Sequence, residues 1–491
     1  MKRADGAWLC SMNCASRKDV RRPKVLRKSA AATAVGGLVI LVGLVGAAKQ
    51  GTETPRAQSS HSANLAPTPP MGWNSYDSYC GDVTEEDVIR NADYMAEHLA
   101  RLGWKYVIVD FYWYYPHPVT DGRHEGDLEV AMDDYGRLLP ATNRFPSAAG
   151  GRGFKTLADH VHRKGLKFGI HIMRGVPRQA VKRNLPVLGT NTHAQDIANI
   201  KDPCSWSTAM YGVDTSKPAG QAYYDSIAKL YAAWGVDYIK ADDMSWAPSP
   251  PAAHSYHEDE IEALSRAIAK SGRPMVLSLS PDRTEVAHAE HVMRYSQLWR
   301  ISDDFWDNWK QLKETFALCR VWAPYIGPNH WPDADMLPLG RIRLRGYEDG
   351  ERRTRLTQDE QITVLTLWSI FRSPLMMGGD LPSLDPFTLS LLSNEEVLAV
   401  DQRSTLNREL FARGHQIAWA ADVPGTKEKY LAVFNLHESP AAVAVAWSEL
   451  GLTGTCVVRD LWKKQNLGAF ESDFAPRINP HGAGLYRVRP L

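Results

Sequence analysis

Two carboxylates and a lysine stand together at the end of a short apolar stretch, residues 236–244, in the middle of the chain. A run of β-branched and aromatic residues with polar ends predicts a buried parallel strand. The carboxyl ends of such strands are where α/β folds place their chemistry. Lys240, Asp242 and Asp243 therefore belong to an active site, or one of the two aspartates caps the following helix.

Polar residues end the other apolar stretches of the chain as well. If these stretches are strands of one barrel, their endings meet at one face. Helix capping could explain one or two endings, but carboxylates at four of the eight strand ends indicate an active site. The endings are Trp73, Asp110, His171, Lys240 with Asp242 and Asp243, Ser278 with Ser280, Arg300 with Asp303 and Asp304, and Asp333 with Asp335.

The chemistry that these residue types fit is glycoside hydrolysis. That reaction needs one ionised carboxylate and a second carboxyl group held protonated, and it needs no phosphate-binding Gly loop. Lys240 precedes Asp242 by two residues, so both side chains point to one face, and the ammonium would keep Asp242 ionised. The stretch 299–307 offers the partner carboxyl group.

The elements that must position these residues alternate along the chain. Apolar strands are separated by amphipathic helical segments such as 85–102 and 220–234, which predicts a parallel sheet. Eight such units predict a (β/α)₈ barrel, and the alternative, an open doubly wound sheet, lacks a Gly-x-Gly-x-x-Gly motif after its first strand. The expected strands are 71–76, 105–111, 167–173, 237–243, 275–280, 298–304, 331–337 and 375–381.

The pattern changes after the barrel, which we place at residues 67–400. In 401–491, short alternating stretches are separated by Gly, Pro, Asn and Ser without intervening helices. This pattern predicts a small antiparallel β-sandwich. The expected strands are 416–421, 429–436, 441–447, 455–460 and 484–488.

Residues 1–48 form a basic leader followed by an apolar run over 31–48. This order predicts an export signal, and residues 49–66 read as a linker. The apolar run approaches spanning length, so an uncleaved membrane anchor is the alternative. We expect an exported protein, secreted or periplasmic, or else one anchored by residues 31–48.

Charge and cysteine content exclude several classes of partner. The 57 Lys and Arg residues nearly balance the 56 Asp and Glu residues, so nothing suggests a nucleic-acid partner. Cys10 and Cys14 lie in the leader, and the other four cysteines lack metal-like spacing. Cys80 and Cys204 could pair in an exported protein.

Five motifs in order resemble glycoside hydrolase family 27, the α-galactosidase (melibiase) family, over about residues 67–402. Residues 69–75 are near to the family's usual start. Residues 234–242 look like the segment that holds the nucleophile, and Arg300 to Asp304 is similar to the acid/base segment. Residues 331–337 and 372–381 resemble later markers of the family.

The resemblance implies a retaining enzyme that forms a covalent glycosyl-enzyme, with no metal and no organic cofactor. Asp242 is then the nucleophile and Asp304 the acid/base, and an α-galactosidase acting on an oligosaccharide or glycoside is the first expectation. The family's α-galactosidases also carry an antiparallel β-domain after the barrel. The candidate substrate-binding residues are Trp73, Asp110, His171, Lys240, Ser280 and Arg300.

The sequence departs from the family's pattern at three positions. Galactosidases usually have a second acidic residue beside Asp110, for the C4 and C6 hydroxyls, but Phe111 follows here. His171 replaces a common tyrosine, and Met244 replaces a common cysteine. A lost buried acceptor would weaken sugar discrimination by a few (~1–3) kcal/mol. Isomaltodextranase-like or β-L-arabinopyranosidase-like specificity, or a non-catalytic carbohydrate-binding barrel, are therefore alternatives.

Three further assignments have two readings each. His171 is either a partner for a sugar hydroxyl or a core histidine. Asp303 is a supporting acceptor or a cap rather than the acid. Asp333 and Asp335 are either structural hydrogen-bond acceptors or the ligands of a metal-dependent hydrolase, although no His cluster accompanies them.

Overall fold

The computed structural model describes residues 64–118, 129–204, 206–244, 256–280 and 283–491. The predicted leader, the linker up to residue 63, Cys10 and Cys14 lie outside these ranges. Within them, no helix is long and apolar enough to cross a membrane. Export and anchoring therefore stay predictions.

Eight parallel strands form the predicted barrel. They pair in the order β7-β6-β5-β4-β3-β2-β1-β8. A parallel bridge between Leu337 and Met377 joins the chain after β7 to β8 and closes the ring, so the open-sheet alternative is wrong. The strands are β1 Met71–Asn74, β2 Tyr106–Val109, β3 Lys167–Met173, β4 Tyr238–Asp242, β5 Val276–Leu279, β6 Leu298–Arg300, β7 Trp331–Asp333 and β8 Leu375–Met377.

One main helix follows each barrel strand. The first begins at a capping box in which Thr84 and Asp87 satisfy each other's backbone N–H groups, and the third ends at Gly235, whose φ of 86° needs a glycine-like conformation. The helices are α1 Glu85–His98, α2 Lys155–Arg163, α3 Pro218–Trp234, α4 Glu258–Lys270, α5 Ala289–Tyr295, α6 Trp309–Trp322, α7 Gln358–Phe371 and α8 Glu395–Arg403.

Short elements decorate the loops between these units. An antiparallel three-stranded sheet follows β3, and a two-stranded one follows β7. The short strands are Val176–Pro177, Ala198–Pro203, Met210–Val213, Arg341–Ile342 and Arg352–Arg353, and the short helices are Tyr76–Tyr79, Arg178–Lys182, Ala194–Ile197 and Pro386–Leu392.

The barrel interior is apolar near the start of the strands and polar at their carboxyl ends. Side chains two residues apart on a strand point to the same face. On β4, Tyr238 lies in a buried interior cluster, and Lys240 and Asp242 follow it in steps of two. The same step leads from Ile108 to Asp110, from Val276 to Ser278, from Leu298 to Arg300 and from Trp331 to Asp333.

Seven of the eight predicted barrel strands are longer than the observed ones. The strands expected over 298–304 and 375–381 end at Arg300 and Met377. After β6 the Ile301 N–H still donates to the carbonyl of Asp333, at 2.9 Å. The chain then turns, and the Phe305 N–H donates to the carboxylate of Asp335, at 2.7 Å. A side chain thus replaces the neighbouring strand as the partner of the backbone.

A six-stranded antiparallel sheet follows the barrel, in the order β9-β10-β11-β14-β12-β13. Two of its strands, β9 and β13, were not predicted, because both are edge strands in which no residue is buried. The expected strand 441–447 is instead two short strands, Ala441–Ala442 and Val445–Ala446, outside this sheet. They pair with Arg477–Ile478 and Asp473–Phe474. The six strands are β9 Thr405–Arg413, β10 Gln416–Asp422, β11 Lys429–Asn435, β12 Cys456–Asp460, β13 Gln465–Phe470 and β14 Ala483–Pro490.

Both faces of this sheet are buried. On one face, Ala418, Leu431 and Val433 pack in a separate cluster with Val445 and Trp447. On the other face, Trp419 and Phe434 belong to the same core as the barrel helices. The Phe434 ring lies 4.9 Å from that of Phe316 on α6. The barrel and the sheet therefore share one core.

Candidate active site

Asp242, the predicted nucleophile, is the last residue of β4 and is buried. Its Oδ2 lies 2.7 Å from Nε2 of His171, and its Oδ1 accepts the backbone N–H of Asp243 at 2.6 Å. Register explains the first contact, because β3 and β4 pair with His171 opposite Lys240 and Met173 opposite Asp242. An ionised carboxylate can only accept, so His171 donates from Nε2. Both carboxylate oxygens are thus held in place.

The sequence predicted that Lys240 would act on Asp242 and keep it ionised. In the structure, Lys240 pairs with Asp110 instead. Its ammonium donates to Oδ2 of Asp110 at 3.0 Å, and Asn74 donates to the same oxygen at 2.6 Å. Burial alone would raise the pKa of Asp110, but the charges of Lys240 and His171 outweigh it and hold that pKa well below its ordinary value. The site therefore contains a permanently charged pair that can bind sugar hydroxyls.

Arg300 connects the predicted acid/base to the barrel. Its Nη2 donates to Oδ1 of Asp304 at 3.2 Å, and its Nη1 lies 2.9 Å from Oδ1 of Asp335. The Arg300 side chain is buried, whereas 60% of the Asp304 side chain is exposed. The guanidinium thus anchors a carboxyl group that stands at the mouth of the site.

Asp333 and Asp335 act as structural acceptors, one of the two readings above. Asp335 accepts from Arg300 and from the Phe305 backbone, and its own N–H donates to Asp333 Oδ1 at 2.9 Å. Burial and the negative charge of Asp335 raise the pKa of Asp333 to about 6. These contacts tie the segment that carries Asp304 to β7.

Asp243 lies beside the site and pairs with Arg174, at 2.9 Å from its Nη2. Within the described residues neither Asp242 nor Asp243 caps a helix, because the next described helix, α4, begins at Glu258 with His257 as its cap residue. Asp243 has a φ of 62°, so the chain turns sharply directly after Asp242.

Trp73 and Ser280, two of the candidate substrate-binding residues, are both buried. Trp73 is fully buried, and its indole N–H donates to the carbonyl of Gly379 at 3.1 Å, so its predicted substrate contact stays a prediction. The Ser280 hydroxyl is buried and has no hydrogen-bond partner among the residues that the structure describes. Its predicted substrate contact stays a prediction.

A row of aromatic rings beside the site was not assembled from the sequence. Phe111 lies 5.2 Å from His171, 5.4 Å from Trp206 and 6.4 Å from Tyr76, measured between ring centroids. Tyr76 in turn lies 6.5 Å from Trp306. Tyr76 and Trp306 each stand within six residues of the end of a barrel strand. This position in the sequence is the one signal that could have indicated that they lie near the site. The row lines one side of the site.

A second charged cluster borders a cavity of about 470 Å³ next to α4. Asp202, His257 and Glu260 line it, and they bring possible metal-ligand atoms within 4.8 Å of one another. Nη1 of Arg174 already lies 2.6 Å from Glu260 and 3.1 Å from Asp202. A guanidinium supplies the positive charge here, and we interpret the cluster as a structural ion-pair network.

The four cysteines among the described residues are not cross-linked. Cys80, Cys204, Cys319 and Cys456 are buried, and within the described residues none of them forms a disulfide. The suggested pair Cys80 and Cys204 is therefore not supported.

A closed (β/α)₈ barrel with two carboxyl groups, a buried lysine–aspartate pair and an aromatic row at one end defines a glycoside hydrolase. The family model described as alpha galactosidase A matches residues 68–182 and 208–403. The model described as the alpha galactosidase C-terminal beta sandwich domain matches residues 413–488. The chain belongs to glycoside hydrolase family 27, as its motifs predicted, and is a retaining glycosidase.

Relatives and solved structures agree with this family. The chain is 29% identical over 445 residues to an α-galactosidase from Coffea arabica, covering 90% of this chain and 98% of that one. An α-galactosidase from Arabidopsis thaliana is 27% identical, covering 86% and 90%. A solved structure of a family 27 β-L-arabinopyranosidase from Geobacillus stearothermophilus is 47% identical with a TM-score of 0.84, covering 87% of this chain and 97% of that one.

Proposed function

We propose that this enzyme removes the terminal sugar from α-D-galactopyranosides and β-L-arabinopyranosides, and that it hydrolyses the pentosides better. The two sugars share one configuration from C1 to C4 and differ only in the hydroxymethyl group that galactose carries on C5. A site that recognises the shared hydroxyls accepts both. The choice between them depends on what lies beside C5.

The α-galactosidase activity expected from the sequence is supported by the curated relatives that carry that name, at 27–29% identity. It is also supported by Asp110 and Lys240, which provide a charged acceptor and a charged donor in the buried part of the site. Hydrogen bonds to charged groups are the stronger ones, so a hydroxyl bound here is recognised with high selectivity.

Phe111 is the observation that carries the preference for the pentoside. It stands where the family's galactosidases usually have the second acidic residue, and its buried ring packs against His171 and Trp206. A hydroxymethyl group beside this ring would lose water without gaining a partner, at a cost of about 1–3 kcal/mol. A pentose has no such group. The structural neighbour at 47% identity is named as a β-L-arabinopyranosidase, and a variant of it was solved with arabinose.

The proposed mechanism is double displacement. Asp242 Oδ2 or Oδ1 attacks the anomeric carbon while Asp304 gives its proton to the leaving oxygen, so that the glycosidic bond breaks as the bond to Asp242 forms. Asp304, now ionised, removes a proton from water, which attacks the anomeric carbon and frees Asp242. Two inversions return the sugar with its original configuration. His171 and the Asp243 N–H keep the carboxylate of Asp242 aimed at the substrate.

A panel of aryl glycosides tests the specificity. We expect kcat/KM to be highest for the β-L-arabinopyranoside, lower for the α-D-galactopyranoside and negligible for the α-D-glucopyranoside. Phe111→Asp restores an acceptor beside C5 and should move the ratio of galactoside to arabinopyranoside activity toward the galactoside by about tenfold or more.

Phe111→Leu is the matched control, because it keeps the wall apolar and should keep the preference for the pentoside. A wild-type enzyme that prefers the galactoside would contradict the proposed preference for the pentoside. An unchanged ratio of galactoside to arabinopyranoside activity in Phe111→Asp would show that Phe111 does not set specificity. Rapid hydrolysis of the glucoside would contradict the proposal as a whole.

We also propose that the protein is exported through the leader formed by residues 1–48. The basic residues and the apolar run over 31–48 support this proposal. N-terminal sequencing of the mature protein from the culture medium or periplasm should show a start after residue 48. Recovery of the intact N-terminus in the membrane fraction would favour the anchor instead.

A further inference from the structure

The segment 183–207 lies between the two ranges that the barrel family model matches. Its last strand, Ala198–Pro203, pairs antiparallel with Met210–Val213. Trp206 stands in the loop between these two strands, with 38% of its surface exposed. An exposed tryptophan on a segment outside the family pattern is a feature of this chain rather than of the family model.

The backbone that carries Trp206 is held on both sides. Nη2 of Arg178 donates to the carbonyl of Cys204 at 3.0 Å and to that of Ser207 at 3.2 Å. Nε of the same arginine donates to the carbonyl of Met210 at 3.0 Å. One guanidinium thus clamps the loop, so the indole is presented in a prepared position and loses little conformational freedom on binding.

Trp206 lies beside the part of the site that binds the terminal sugar. Its ring contacts Phe111, which in turn contacts His171, the partner of Asp242. Asp110, Asp242 and Arg300 are buried, so the terminal sugar must enter below the rim. An exposed ring beside Phe111 lies at the boundary with solvent, where it can contact the portion of the substrate beyond the terminal sugar.

A second tryptophan lies at the other end of the aromatic row. Trp306 is partly exposed and follows the proposed acid Asp304 by two residues. Arg343 lies 4.5 Å over its ring and fixes its face. Because Asp304 protonates the leaving oxygen, the group attached to that oxygen leaves past this part of the rim.

We infer that Trp206, with Trp306 at the opposite end of the row, forms a subsite for the leaving-group sugar of an oligosaccharide substrate. The apolar C–H faces of a pyranose ring suit an aromatic face. This inference rests on the proposed function and extends it. The enzyme is then built to cleave a terminal sugar from another sugar rather than from an arbitrary small group.

The test uses the terminal sugar that the wild-type enzyme hydrolyses and compares two substrates that contain it. One is the glycosyl fluoride of that sugar, and the other is the disaccharide in which the sugar is linked to glucose. Fluoride cannot stack on a ring, whereas glucose can. Trp206→Ala should lower kcat/KM for the disaccharide about tenfold and change kcat/KM for the fluoride less than about twofold. Trp206→Phe keeps a ring and should recover most of the disaccharide activity.

Leu467→Ala serves as the control for a comparably exposed apolar side chain, because Leu467 is 36% exposed on β13 of the C-terminal sheet. This substitution should leave kcat/KM unchanged for both substrates. If Trp206→Ala lowers kcat/KM equally for both substrates, or for neither, the inference is overturned while the proposed function stands. Wild type that hydrolyses neither sugar would remove the proposed function, and the inference with it.

Discussion

The carboxylate of Asp242 has a hydrogen-bond donor on each of its oxygens, His171 on one and the Asp243 N–H on the other. His171 stands where the family often has a tyrosine, and neither reading of it from the sequence named this partner. A ring nitrogen and a phenol can both donate a hydrogen bond, so the replacement keeps a donor at this position. At the scale of single residues, orientation is therefore the main task of the groups around Asp242.

Replacing Asp242 by Ala should lower kcat by about 10⁴-fold or more, since the covalent intermediate can no longer form. Circular dichroism should show an unchanged fold. Added azide should restore part of the rate and give a glycosyl azide of inverted configuration, because a small anion fits where the carboxylate was. Activity near the wild-type level would remove Asp242 from the mechanism.

Two adjacent exposed aspartates give a matched test of the acid/base. Asp304→Asn should slow hydrolysis of a disaccharide about 10²- to 10⁴-fold, because its sugar leaving group needs a proton, and should slow an activated aryl glycoside much less. Asp303→Asn should leave both rates within about twofold. The reverse ranking would assign the proton transfer to Asp303, and measured kcat values on the two substrates decide it.

Arg174 connects the ends of several elements next to the site. It is fully buried and pairs with Asp243 after β4, with Glu260 on α4 and with Asp202 on the added strand after β3. Burial raises the pKa of Glu260, and its ion pair with Arg174 opposes that rise. The network thus fixes the turn after Asp242 relative to the surrounding loops.

Arg174→Met should lower the free energy of unfolding by about 3–5 kcal/mol, because it leaves buried carboxylates without a counter-charge. Carboxyl groups with a raised folded-state pKa are favoured when protonated, so the loss should be smaller at pH 5 than at pH 8. Urea unfolding at both pH values measures it. Arg413→Met, at an exposed pair with Glu449, should cost less than about 1 kcal/mol. A loss that is equal at both pH values would contradict this interpretation of the network.

At the scale of the whole molecule, the C-terminal sheet is part of the barrel's core rather than an appended module. Trp419 lies 6.2 Å from Phe371 on α7, and Phe434 lies 4.9 Å from Phe316 on α6. The Trp462 indole also donates to Thr366 on α7 at 2.9 Å. Since both parts bury apolar surface against each other, they should unfold together.

Phe434→Ala should lower the free energy of unfolding by about 3–5 kcal/mol through the cavity that it leaves. The transition should stay single, so that loss of activity and loss of far-ultraviolet circular dichroism coincide in urea. Leu467→Ala, exposed on the same sheet, should change stability by no more than about 0.5 kcal/mol. A sheet that unfolds before activity is lost would show two independent domains.

The strands and the site face could be predicted because they depend on local pattern. Alternation in steps of two along β4 puts Tyr238, Lys240 and Asp242 on one face, whatever surrounds them. All eight barrel strands are present where the apolar runs predicted them, although their ends differ. Strands β9 and β13 were missed because edge strands bury little, so their sequences need not alternate.

The sequence by itself determined the family, the barrel and which residues stand at the ends of its strands. Only the tertiary structure decided which of them meet. Lys240 and Asp242 are two residues apart on one strand, about 7 Å along it, whereas Asp110, which follows β2, reaches Lys240 past the intervening strand β3 at 3.0 Å. The contact of His171 with Asp242 and the row from Trp206 to Trp306 also join distant segments. Strand register and loop packing set such distances, and a linear pattern of residue types does not contain them.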